Sequence, residues 1–369
     1  MSLDPVFLSR LQFAFVVSFH IVFPAFTIGL AAWLATIEGV RLKTGNPVMF
    51  SSFWILCNNS WMQVPLGHTI IDGKIVPDHW WAITTGPIVR IRWPHMLLAA
   101  FLTTGMSVIA TGAWHMLRGH HLPEARVMLH WGLALVAVLI PVQMVFGHFN
   151  GEYVLHHQPA KFAAIEARWH TQQPATEVFL AIPNPITEQN MFALEVPKLG
   201  SFIASGNFTA REIGLEAFPK RDQPPVIIPF FAFRGMVGMG LIMMAISWIG
   251  LFLVWRGRLE GARWFLWAAF LSFPTGFIAV LCGWYTAEVG RQPWVVYGIL
   301  RTEDAITPSL TGGQVLFSLI AYVVVYAVIY TFGLTYIYRV LKAGPTAEPS
   351  VSRLTPGRPI AVALRGRPE

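Results

Sequence analysis

Six apolar runs of about 20 or more residues, near 13–37, 93–117, 127–146, 227–255, 264–285 and 315–338, constrain this chain more than any other feature. No water inside a bilayer is available to hydrogen-bond the backbone, so runs of this length and apolarity can cross it only as helices. The content of charged residues is 12%, against roughly 25% in soluble domains. The expected fold is therefore an all-α polytopic transmembrane helix bundle of six full spans. The first run is too long, and lacks the basic start and small-residue cleavage site, to be a removable leader, so it is expected to remain as a helix.

The net charge of +7 could suggest nucleic acid, but the basic residues follow or separate the apolar runs instead of forming one surface. Arg41, Lys43, Arg118, Arg126, Arg256, Arg258, Arg263, Arg339 and Lys342 fit a membrane protein whose basic loops face the cytoplasm, with the N-terminus outside and the C-terminus inside. Lipid is the expected partner and nucleic acid is not. The two cysteines, Cys57 and Cys282, come without a Cys-x-x-Cys-His motif, so any haem is expected to be held without covalent attachment. A membrane-embedded domain over 1–341 holds a long outer loop at about 149–226 and a shorter one at about 286–312, and 342–369 reads as a disordered basic tail.

Orientation exposes a defect at 44–92. Spans beginning near 13 and 93 both have to run inward, so something between them must return the chain across the membrane. The candidate, about 49–67, has an apolar core of Phe53-Trp54-Ile55-Leu56 followed by Asn58, Asn59 and Ser60, too short for a full crossing. One short crossing is added to the six spans on that ground.

Polar groups inside such runs are costly unless they face a partner or cofactor. His20, His95 and Met236 are of that kind, and imidazole and thioether are common axial ligands of haem iron. His95 and Met236 each stand near the start of a span, and the two spans run in the same direction, so the pair could close both axial positions of a low-spin haem. The plainer alternatives are a histidine bonded to a neighbouring helix, an interfacial histidine and a core methionine. Arg234 at the membrane edge suits a haem propionate or a quinone oxygen. Glu288 and Arg291 flank Gly290 and read either as an interfacial ion pair or as an iron ligand with its neighbour. The pairs His120-His121 and His156-His157 are read as solvated.

Leu8-Ser9-Arg10-Leu11-Gln12-Phe13 leading to His20, Asn59-Ser60-Trp61-Met62-Gln63, Lys161 to Glu166, Phe233-Arg234-Gly235-Met236 and Gly290-Arg291-Gln292-Pro293-Trp294 together resemble subunit I of cytochrome bd-type quinol oxidases, in the short-loop, cyanide-insensitive branch. The motifs occur in the family's order over nearly the whole chain. The resemblance implies His95 and Met236 as ligands of a low-spin b haem, His20 as ligand of a high-spin b haem, and Glu288 as ligand of the other oxygen-site haem, d or a second b. It implies Lys161 and Glu166 in quinol oxidation on the outer loop, with Arg234 and Arg291 near haem propionates. The implied activity is quinol:oxygen oxidoreduction in a bacterial inner membrane, alongside a subunit II and a small single-span subunit.

The family pattern has nine spans, and about 80 residues of it are missing where Phe53-Trp54 runs into Ile55-Leu56-Cys57-Asn58, the place of the orientation defect. The absent helices carry acidic residues of the family's proton route. The alternative is thus a non-catalytic truncated paralogue that binds at most the low-spin haem and partner subunits. A transporter with intramembrane histidines lacks the expected internal symmetry.

Overall fold

A computed structural model describes residues 4, 6–17, 47–305, 309 and 311–343. A first helix is described over Val6–Val17 (α1). The rest of the first apolar run, His20 included, lies outside the described residues. Then follow α2 (Pro47–Gln63), β1 (His68–Ile71), β2 (Lys74–Pro77), α3 (Trp80–Thr85), α4 (Pro87–Arg118) and α5 (Leu122–His157). The segment between the two long central helices holds α6 (Pro159–Ile165), β3 (Glu177–Asn184), β4 (Gln189–Val196) and α7 (Leu199–Ser205). After it come α8 (Ile227–Trp255), α9 (Arg263–Leu271), α10 (Thr275–Val289), β5 (Trp294–Val296), β6 (Leu300–Arg301) and α11 (Gly312–Ala343).

Among the described residues, five stretches are long and apolar enough to cross a membrane, and they coincide with the last five of the six apolar runs. One of them, Arg263–Val289, is broken at Ser272-Phe273-Pro274 into α9 and α10. The segment expected as a short crossing forms α2, whose 17 residues reach about 26 Å at 1.5 Å per residue, less than the ~30 Å apolar core of a bilayer. Helix boundaries extend beyond the apolar runs. Polar outer turns continue α4 back to Pro87, which suits a first helical position because proline has no N–H to leave unsatisfied. Helix α5 likewise continues to His157, so the outer segment begins about eight residues later than the expected 149.

Glycine places the turn between α4 and α5. Gly119 adopts φ 70° and its N–H, with that of His120, closes on the last carbonyls of α4, a left-handed cap that a Cβ would strain. Helices α4 and α5 then zip together through Leu102, Met106, Ile109 and Ala113 against Leu129, Leu133, Val136 and Ile140. Met243 and Ile246 of α8 and Phe265, Leu266 and Ala269 of α9 join the same core at the inner end. Small residues permit the approach: a Cβ at Gly276 of α10 would lie 2.5 Å from Cα of Thr103 on α4.

Four helices surround the centre. Helices α5 and α10 each pack on both α4 and α8, which face one another across the bundle. The inner half is closed, with Leu102, Thr103, Thr104, Gly105, Met106 and Ile109 of α4 all buried. The outer half is looser, and every residue from Ile91 to Ala99 is only half-buried. By its contacts the chain divides into Met1–Val323 and Val324–Glu369, and of the second unit the helical residues to Ala343 are described.

The outer segment is folded. Strands β3 and β4 pair antiparallel, with Leu180 opposite Leu194 and Ile182 opposite Met191. Ala163, Ala164, Ala167, Trp169, Val178, Ala181 and Leu215 pack with Val226 and Phe230 and so seat this segment on the start of α8.

Candidate functional site

His95 lies on α4 and Met236 on α8, the two helices that face each other across the bundle. The two residues stand about 12 and 14 Å along their helices from Pro87 and Ile227, and of the two helices only α4 begins with turns outside its apolar run. Each faces a glycine of a helix between. A Cβ at Gly147 on α5 would come 3.4 Å from His95 Cε1, and one at Gly283 on α10 would come 3.0 Å from Met236 Sδ. His95 Nε2 is 3.4 Å from the side-chain nitrogen of Gln143, whereas its Nδ1 is buried without a hydrogen-bond partner. One guanidinium nitrogen of Arg92, on the turn outside His95, is likewise buried and unpartnered. Buried polar atoms are rarely left so. An imidazole nitrogen free to ligate, a thioether on the facing helix, glycine-lined walls and loose outer packing fit a flat iron-bearing macrocycle held between α4 and α8.

Lys161, expected on an outer loop, is instead 4% exposed and joins a second cluster. Its Nζ donates to Gln63 Oε1 at 2.9 Å and to the Ala287 carbonyl at 2.9 Å. Burial pushes its pKa well below the usual lysine range, Arg92 and Arg291 push the same way, and Glu288 opposes them. Glu288 Oε2 is held by Arg291 at 2.6 Å, while Oε1 accepts from Asn59 at 2.8 Å and Gln63 at 3.2 Å. The carboxylate is therefore saturated by chain partners, the arrangement of the ion-pair alternative. Nε and Nη1 of Arg291 are buried and unpartnered.

Glu166 belongs to a third cluster. Five residues along α6 from Lys161, it is turned about 140° away, which is why the two do not share partners. Arg234 Nη2 lies 3.2 Å from Glu166 Oε2 and 3.9 Å from Glu177 Oε1. The same guanidinium donates to the carbonyls of Ile165, Val178 and Phe179 and sits over the Phe230 ring at 3.6 Å. Arg234 thus fastens the outer segment to α8. It does not stand free toward the bundle centre, as a propionate partner would. Glu177, 9% exposed, was not among the sequence candidates, and the only signal for it was a carboxylate opening an apolar strand. Burial, and then Glu166, raise its pKa to about 8, against the opposing pull of Arg234 and Arg168.

A family profile described as "Cytochrome bd terminal oxidase subunit I" matches residues 8–50 and 47–345. The two matched pieces meet near the start of α2, close to where the family pattern is interrupted. Among characterised relatives, cytochrome bd ubiquinol oxidase subunit 1 of Bacillus subtilis (strain 168) is 32% identical over 310 residues, covering 80% of this chain and 65% of that protein. A putative cytochrome bd menaquinol oxidase subunit I of the same organism is 32% identical over 282 residues, 73% of this chain and 63% of that one. Cytochrome bd-II ubiquinol oxidase subunit 1 of Escherichia coli (strain K12) is 27% identical over 368 residues, with coverage of 81% and 71%. The chain thus spans a little under two thirds of the length of the two Bacillus proteins. The bd oxidase structure from Geobacillus thermodenitrificans superposes with a TM-score of 0.75 at 24% identity, over 88% of this chain and 79% of that one, a likeness of fold.

Proposed function

The chain belongs to the cytochrome bd terminal oxidase subunit I family, and from that premise we propose that it takes electrons from quinol at the outer face of a bacterial inner membrane and delivers them, through haem, to oxygen. The observation that carries this reading is the pair His95 and Met236, on facing helices, with an unpartnered imidazole nitrogen and glycine walls. These two side chains would hold a low-spin b haem, which supplies reversible one-electron chemistry when bound. The chain's own contribution is to fix both donors on rigid helices and to exclude water through the closed inner core. Arg92 and Arg291, with spare buried donors, are suited to carboxylates at the rim.

In the same reading Glu166 belongs to quinol oxidation, and buried Lys161 acts through the Gln63–Glu288 cluster. His20 and Glu288 are the proposed donors for the oxygen-site haems, b and d or a second b. A subunit II, and a small single-span subunit, are the proposed partners. The basic inner loops support an outside N-terminus and a cytoplasmic C-terminus.

The test is the visible spectrum of the purified membrane complex. His95→Ala and Met236→Leu are each expected to abolish the low-spin b signal while membrane insertion persists, because an iron left with one axial ligand becomes high-spin or is lost. An unchanged low-spin spectrum in either variant defeats the assignment.

A second reading is favoured by the saturated Glu288, by the 17-residue α2 and by the two-piece family match. In it the chain carries only the low-spin centre and binds partner subunits. One low-spin b signature without high-spin haem, and no oxygen uptake with quinol, identifies that case.

A further inference from the structure

The two ring nitrogens of His95 have different surroundings. Nε2 lies 3.4 Å from the side-chain nitrogen of Gln143 on α5. Nδ1 is buried without a hydrogen-bond partner, and so is Oε1 of Gln143. An amide nitrogen can only donate, so in this arrangement Nε2 accepts and the ring proton sits on Nδ1, where it meets no acceptor. A donor and an acceptor are thus left unpaired on two side chains already in contact, a costly state for buried groups. Gln143 also lies within an apolar run, where an amide is expensive unless it faces a partner or a cofactor.

One rearrangement settles both ring nitrogens. Turning the Gln143 amide about its last bond exchanges its nitrogen for its oxygen in nearly the same volume. With the ring proton moved from Nδ1 to Nε2, Nε2–H then donates to Oε1 and the lone pair passes to Nδ1. The Nδ1 side of the ring has no side chain from α5 against it, because Gly147 stands there, one helical turn from Gln143. A Cβ at that glycine would come 3.4 Å from Cε1 and 3.9 Å from Nδ1. One nitrogen is therefore held by a polar side chain and the other is bordered by a glycine. Which nitrogen of a histidine binds a metal is set by the hydrogen bond that the other makes.

We propose that Gln143 is a positioning residue for the low-spin centre, accepting Nε2–H of His95 and so fixing the tautomer whose Nδ1 lone pair ligates iron. The proposal rests on the haem reading of His95 and Met236 above. An acceptor on the remote N–H strengthens electron donation by the imidazole, which favours ferric iron and lowers the reduction potential. The same bond keeps the ring from turning, which slows loss of the macrocycle.

The test uses the intact membrane complex. In wild type grown on histidine carrying heavy nitrogen at Nδ1 alone, the low-spin ferric paramagnetic-resonance signal is expected to show the strong coupling of a directly bound labelled nitrogen. A weak, remote coupling would put the iron on Nε2 and overturn the proposal. Gln143→Leu removes the acceptor at similar volume. Potentiometric titration of its low-spin b band should give a higher potential than wild type, and haem should pass to a soluble haem-binding protein about 10–100-fold faster. Gln143→Glu keeps an acceptor oxygen and should hold the potential at or below that of wild type. A potential unchanged in Gln143→Leu, or raised equally in both variants, overturns the proposal and leaves the functional reading standing, since the low-spin signal persists. A wild type without any low-spin signal overturns that reading, and the proposal with it.

Discussion

Single side chains in this protein are set more by what surrounds them than by the segment that carries them. Arg234 is two residues from Met236, yet its fork is spent on Glu166 and on carbonyls of the outer segment. Replacing it with methionine leaves Glu166 and Glu177 buried without their cation, a loss of about 3–5 kcal/mol for a broken buried pair. The expected result is faster proteolytic cleavage within 170–226, while the α4–α5 zipper keeps its amide-exchange protection. Protection unchanged across 170–226 would show that Arg234 is not the fastener. A pH dependence follows from Glu177. Its folded pKa lies above the unfolded value, so the folded segment binds the extra proton between about pH 4.5 and 8. Stability from this group is therefore complete below the unfolded pKa and is lost as pH rises through about 8. Amide exchange in β3 should accelerate over that range, and in Glu177→Gln it should not.

Helices were the legible elements, and hairpins and clusters were not. Unsatisfied backbone groups cannot face lipid, so apolar length alone announces a crossing, and five of the six runs have a described span to match. His95 and Met236 could be singled out because a polar side chain in such a run has few innocent explanations. Neither the Gln63–Lys161–Glu288 nor the Glu166–Arg234–Glu177 cluster could be found this way. Their members are far apart in sequence, and the distances that join them depend on where α2, α6 and β3 pack. Strands β3 and β4 carry apolar residues on both faces, so the period-2 signal is blurred. At this scale Gly276→Ala is expected to cost about 1–3 kcal/mol, because its Cβ would meet Thr103 backbone rather than a side chain that can turn aside. Ile109→Ala should cost about 2–5 kcal/mol through the cavity it leaves in the α4–α5 core. Denaturation of both variants in detergent checks the two figures, and a neutral Gly276→Ala would mean that α10 can slide.

For the molecule as a whole, the question is whether the proposed quinol oxidation and the proposed oxygen reduction can be separated. The proposed low-spin donors and the carboxyl cluster lie on described elements that pack on one another, whereas the proposed oxygen-site donors are His20, outside the described residues, and Glu288, already saturated. Sub-stoichiometric high-spin haem and little oxygen uptake with quinol are therefore expected of the chain with its partner subunit. Inserting the family's missing segment from a longer relative near residue 54 should recover both. Equal turnover with and without that segment would defeat this expectation. The uneven bundle has a consequence for assembly. Helices zipped at the inner end and slack at the outer end form a cup with one mouth, so a flat macrocycle can enter after the chain is already in the bilayer, from the outer side, without the inner seam opening. The order of assembly expected from this shape is insertion first and loading second.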